Sequence, residues 1–135
     1  METTRYAKAI AAAAALSLLT SSCGGGGASG GGTGATCEPT GTALEVSAKD
    51  ISFDRGCLAA PASQPFTIEF TNNDAGTTHN VAIYTDRSAS DALFVGEIFQ
   101  GVDTRTYEVP ALDPGTYFFR CDVHPTQMTG TFVVK

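Results

Sequence analysis

The chain is poor in the residues that most often carry chemistry. Of 135 residues, two are histidine and two methionine, one of the latter being the initiator. Basic side chains are also scarce: 8 Lys and Arg stand against 14 Asp and Glu, for a formal net charge of −6. A nucleic-acid surface needs a basic stripe or patch, so nucleic acid is excluded as a partner class. The longest apolar run, Ala9 to Leu19, is eleven residues, whereas a helix crossing a bilayer needs about 20. No segment repeats its apolar residues at the helical period, which argues against a helical bundle.

What is present begins with an export signal. Arg5 and Lys8 precede the apolar run, and Thr20, Ser21, Ser22 and Cys23 follow it. Charged, apolar and small residues in that order are the layout of a secretory signal. The stretch "LTSSC" resembles the bacterial lipobox, with Thr20 at a position that is usually apolar. The resemblance implies a signal peptide over residues 1–22 and acylation of Cys23. An ordinary signal peptide with a stray cysteine is the alternative. The Gly-rich stretch that follows, Gly24 to Thr36, reads as a flexible tether, so 23–36 form a lipid anchor and linker. Without residues 1–22 the chain keeps 13 acidic and 6 basic side chains, a net charge near −7. That balance favours solubility and would bias docking toward a basic partner.

The remaining residues, 37–135, are enough for one small domain with a single core. Period-two alternation recurs along them. Leu44, Val46 and Ala48 alternate with polar neighbours, as do Phe66, Ile68 and Phe70. Further strands are expected over Ile51–Phe53, Thr78–Tyr84, Leu93–Ile98, Thr104–Val109, Thr116–Cys121 and Thr129–Val134. Turn chemistry separates them, as in "TNNDAGT" (Thr71 to Thr77) and "LDPGT" (Leu112 to Thr116). Tyr117, just after that second turn, resembles the tyrosine corner of Greek-key sandwiches. The only helix candidate is a short turn near Ser88–Leu93. The expected fold is all-β, an antiparallel Greek-key β-sandwich of seven to eight strands. Alternation points His79 inward with Val81 and Ile83, and Cys121 inward with Tyr117 and Phe119. Each stands near the end of its strand, where the two can meet at one pole.

Four cysteines in an exported protein ordinarily mean two disulfides. Acylation of Cys23 leaves three. A Cys37–Cys57 bridge would staple the N-terminal end of the domain and stabilise it by roughly 3 kcal/mol. Cys121 then has no partner, and metal ligation would occupy an otherwise vulnerable thiol.

Two imidazoles, one thiolate and a weak axial thioether hold copper in electron-transfer sites. Thiolate and thioether favour Cu(I) and imidazole suits Cu(II), so a geometry between the two preferences lets the metal change state with little rearrangement. The chain's only histidines, His79 and His124, its only methionine past the initiator, Met128, and Cys121 supply that set. Taken singly, His124 reads as a loop histidine and Met128 as a core methionine; it is the set that points to a site.

On these residues the chain resembles the cupredoxins, the small blue copper proteins such as plastocyanin, azurin, amicyanin and pseudoazurin. The resemblance spans residues 37–135 and is most specific in "HNV" (His79 to Val81) and "PGTYFFRCDVHPTQMTGTFVV" (Pro114 to Val134). It implies one copper ion held by His79, Cys121, His124 and Met128, the last three on the loop between the final two strands. The spacing Cys-x2-His-x3-Met departs from the Cys-x2-His-x4-Met of plastocyanin-like proteins, and amicyanin is one residue shorter than this chain. Gln127 therefore stands as an alternative axial ligand. Asn80 resembles the asparagine that ties the ligand loop to the neighbouring strand, and Pro125 would restrict the loop beside His124. The edge of His124 is the expected route for electrons.

The function implied is a membrane-tethered one-electron carrier outside the cytoplasm, in the periplasm or at the cell surface. It would be monomeric, with redox proteins as partners and no enzymatic activity, because four protein ligands leave no open position for a substrate. Too few histidines are present for a multicopper oxidase or nitrite reductase, and the ligand loop lacks the second cysteine of a CuA site. The alternative is a copper-delivering or copper-buffering lipoprotein without redox cycling.

Overall fold

A computed structural model describes residues 37–135. The expected signal peptide, Cys23 and the Gly-rich tether lie outside the described residues. Eleven strands follow in chain order: β1 (Ala43–Lys49), β2 (Ser52–Phe53), β3 (Cys57–Ala60), β4 (Phe66–Asn72), β5 (Thr78–His79), β6 (Ala82–Tyr84), β7 (Ala92–Val95), β8 (Phe99–Gln100), β9 (Asp103–Val109), β10 (Gly115–Arg120) and β11 (Thr129–Val134). Three of these are two residues long, leaving eight of three or more. One sheet has the order β2-β1-β4-β9, a second β3-β11-β10-β6-β7, and β5 and β8 form a separate ribbon.

The sandwich is as expected, but its sheets are mixed rather than wholly antiparallel. β1 runs parallel to β4, with Val46 opposite Phe70, and β3 runs parallel to β11, with Cys57 opposite Thr131. After β2 the chain leaves the first sheet to place β3 in the second, then returns as β4. Alternation reports which face a side chain takes and is silent on the direction of the neighbouring strand. The helical turn expected near Ser88–Leu93 is absent. Thr85 N–H donates instead to Asp91 C=O at 3.0 Å, closing a loop, and Ala92 already belongs to β7.

The inward rows of both sheets meet in one apolar core. Leu44, Val46, Ile68, Phe70 and Val109 come from the first sheet, and Leu58, Ile83, Phe119, Phe132 and Val134 from the second. Ring contacts bridge the layers, with Phe66 and Phe132 stacked at 5.5 Å and Phe53 against Phe119 at 5.2 Å. Such pairs contribute about 0.5–1.5 kcal/mol each beyond their buried area. Tyr117 O–H donates back to Asp113 C=O at 2.9 Å, closing the corner before β10. A disulfide joins Cys37 to Cys57, with Cα atoms 6.1 Å apart, and fixes the start of the described chain to β3.

Candidate metal centre

The expected strand over Thr78–Tyr84 is broken, and the break helps to build the site. His79 pairs with Phe99 in the β5–β8 ribbon, while β6 resumes at Ala82 in the larger sheet. Between them, the Asn80 side chain takes over hydrogen bonding. Its Nδ2 donates to Gly96 C=O at 3.0 Å, and its Oδ1 accepts from Asp122 N–H at 2.8 Å. Asn80 therefore links the end of β7 to the residue after Cys121. Gly96 must be glycine for a steric reason: a Cβ there would stand 2.7 Å from the Tyr107 ring and 2.8 Å from Val81 C=O.

The loop from β10 to β11 folds back on itself. Cys121 N–H donates to Met128 C=O at 2.9 Å, pinning the loop's two ends. His124 N–H donates to Cys121 C=O at 3.2 Å, and Met128 N–H to His124 C=O at 3.0 Å. These turns send Cys121 and Met128 inward, both fully buried, and leave Pro125, Thr126 and Gln127 exposed. His124 lies half-buried between them.

Three donor atoms converge from these segments. His79 Nδ1 lies 3.1 Å from His124 Nδ1, and Cys121 Sγ lies 3.7 and 3.8 Å from those two nitrogens. A triangle with those sides has its equidistant point about 2.1 Å from each corner, within the range of roughly 2.0–2.3 Å for metal–nitrogen and metal–sulfur bonds. Two imidazoles and a thiolate around one point fit copper, and Met128, buried and bonded through its backbone to Cys121 and His124, is the candidate thioether. His79, Cys121 and His124 form the only such cluster among the described residues.

His79 is held from behind by a residue that sequence reasoning missed. Its Nε2 lies 2.8 Å from Asp74 Oδ2, so the imidazole donates there and keeps its Nδ1 lone pair facing Cys121 and His124. Asp74 also accepts from the N–H groups of Asp50 and Ile51, at 2.6 and 3.0 Å. Those two residues adopt left-handed φ values of 52° and 55°, a costly conformation for β-branched Ile51. The bond from Ile51 N–H is the main cause that draws the Asp74 carboxyl from 3.8 down to about 2, with further help from Asp50 and His79 and against its partial burial. Asn72, fully buried, completes the arrangement. Its Oδ1 accepts from Asp74 N–H at 2.9 Å, and its Nδ2 donates to Thr77 and Phe99 carbonyls. The only sequence signal was the turn-forming run "TNNDAGT", which reads equally well as a plain loop.

The two-sheet sandwich with a histidine–cysteine–histidine pole defines a class of small copper-site folds. The sequence model of the Cupredoxin-like domain family matches residues 9–134, and the chain belongs to that family. No curated protein sequence matches it. Among solved structures it is similar to a dithionite-reduced auracyanin from the photosynthetic bacterium Roseiflexus castenholzii, at 20% identity and a TM-score of 0.63, covering 70% of this chain and 97% of that one. Auracyanin A, a "blue" copper protein from Chloroflexus aurantiacus, gives 23% identity and a TM-score of 0.62, covering 70% and 99%. A reduced Cu(I) amicyanin gives 24% and 0.52, covering 69% and 82%. At these identities the likeness is one of fold.

Proposed function

We propose that this chain is a mononuclear blue copper protein that carries single electrons between redox partners outside the cytoplasm. The observation that carries the reading is the convergence of His79 Nδ1, His124 Nδ1 and Cys121 Sγ on one point at bonding distance. When bound there, copper supplies a one-electron couple.

The residues around it do the rest. His79 and Cys121, both fully buried, hold their donors in place without solvent. Met128, buried where Gln127 is exposed, is the better axial candidate. His124 is the one donor of the three that reaches the surface, so its outer edge is the route for electrons. Ile51, whose N–H bonds to Asp74, and Val123, next to His124 in the chain, are exposed apolar side chains; they would let a partner dock closely and leave quickly. A ligand set complete within one chain supports a carrier that acts as a monomer and is not an enzyme. Export and tethering through an acylated Cys23 suit such a carrier, because the tether keeps the domain at a membrane surface.

The test is an absorption and EPR spectrum of the Cu(II)-loaded chain. An intense visible thiolate-to-copper band, bleached reversibly by a mild reductant, is the expected result. A colourless protein that holds Cu(I) and passes it to an acceptor would instead mean copper delivery or buffering. Met128→Leu should shift the band and the reduction potential while Gln127→Ala leaves both unchanged; the reverse pattern would assign the axial position to Gln127.

A further inference from the structure

Cys121 is flanked by two charged residues that bond to each other across it. Alternation along the strand turns Cys121 inward and leaves Arg120 and Asp122 on the outer face, each about a quarter or less exposed, at 24% and 20% of their side-chain surface. Arg120 Nε donates to Asp122 Oδ1 at 2.8 Å. The same oxygen accepts the Tyr84 O–H at 2.7 Å, and Tyr84 is itself buried. The Arg120 guanidinium lies 4.7 Å from the centre of the Tyr84 ring, with Nη2 3.5 Å from the Tyr84 oxygen. Asp122 Oδ2 lies 3.4 Å from Asn80 Nδ2, and its backbone N–H donates to Asn80 Oδ1. One carboxylate thus ties both neighbours of the thiolate ligand to β6 and to the residue after His79.

We propose that Asp122 is a positioning residue for Cys121, acting with Arg120 as a charge-balanced clamp behind the thiolate. The inference rests on the copper reading above and goes beyond it. The clamp has two separable effects. Mechanically, it fixes the backbone on either side of Cys121, so the sulfur is held where both imidazoles can share a metal with it. Electrostatically, it sets a negative and a positive charge close to the centre in a partly buried setting, where screening by solvent is weak. Because the charges are opposite, removing either one exposes the centre to the other. Loss of the carboxylate leaves an uncompensated cation, which favours Cu(I). Loss of the guanidinium leaves an uncompensated anion beside a thiolate, which favours Cu(II).

Opposite signs separate this clamp from a merely structural role, which would disturb the site in the same direction whichever partner was lost. The experiment measures the reduction potential of the copper-loaded full chain as Asp122→Asn, Arg120→Gln and Arg120→Lys. The expected result is a rise for Asp122→Asn, a fall for Arg120→Gln and a value near the unaltered chain for Arg120→Lys, with the blue band kept in all three. A second arm needs no metal: amide hydrogen exchange at Cys121 and Met128 in the metal-free chain should quicken about tenfold in Asp122→Asn, as loss of one charge-assisted bond implies. Potential shifts of the same sign in Asp122→Asn and Arg120→Gln, or no shift in either, would overturn the electrostatic part. Unchanged exchange in Asp122→Asn would overturn the mechanical part. If the unaltered chain shows no blue band, the copper reading itself fails, and the exchange arm alone decides whether Asp122 is a clamp.

Discussion

The middle of the sandwich and its metal pole are built on opposite terms. In the middle, Phe66, Phe70, Phe119 and Phe132 pack with other aromatic rings and aliphatic side chains, with ring centroids 5.2–6.2 Å apart. No directional bond fixes them there; volume and shape do. The pole holds all three fully buried polar residues of the described chain, Asn72, His79 and Asn80. Each has its hydrogen-bonding groups placed against a named partner: Asn72 on Asp74 and two carbonyls, His79 on Asp74, Asn80 on Gly96 and Asp122. A buried polar group left without a partner costs about 1–3 kcal/mol, so such a cluster is tolerated only where its members satisfy one another. The middle thus supplies stability that many apolar side chains could provide. The pole supplies an arrangement in which the identity of each residue matters.

Mutations that strike one region should leave the other's signature intact. The largest effect belongs to Cys121→Ser, which should abolish the visible band while the thermal midpoint of the metal-free chain stays close to that of the unaltered one. A collapse of the fold in this variant would mean that the pole is also a structural keystone. Phe132→Ala removes a fully buried ring from the middle and should cost about 3–5 kcal/mol by denaturant unfolding, with the band unmoved in the protein that remains folded. A smaller effect is expected at Asp74. Its carboxyl is depressed in the folded chain, from 3.8 to about 2, so the stability it contributes is present above pH 3.8 and lost as the pH falls toward 2. Acid unfolding of the metal-free chain should therefore become shallower in Asp74→Asn over that window; an identical acid limb would show that the carboxylate braces nothing. The smallest is Tyr117→Phe, which deletes the corner hydrogen bond to Asp113 and should cost about 1 kcal/mol with no spectral change.

Much of this was legible before any coordinates. The inward rows of β1 and β4 follow from alternation alone, and so does the inward turn of Cys121 and His79. Rarity did the rest for the site: with two histidines and one methionine past the initiator, little choice remained over which residues could join Cys121. Less legible were the break between β5 and β6, the parallel pairing of β1 with β4, and the strand at Cys57–Ala60. Each depends on what lies across from the segment. Asp74, Asn72 and Asp122 were invisible for the same reason. They are ordinary turn and loop residues by composition, and they acquire their roles through bonds that include groups 5 to 42 positions away.

Sequence by itself determined the fold class, the core rows and the candidate donors, because residue type and period-two spacing are local properties that read directly along the chain. Tertiary structure decided the order of strands within the sheets, the common point on which His79, Cys121 and His124 converge, and the carboxylates behind two of them. Those are distances between segments far apart in sequence, set by how two sheets close on one core, and no local pattern encodes them.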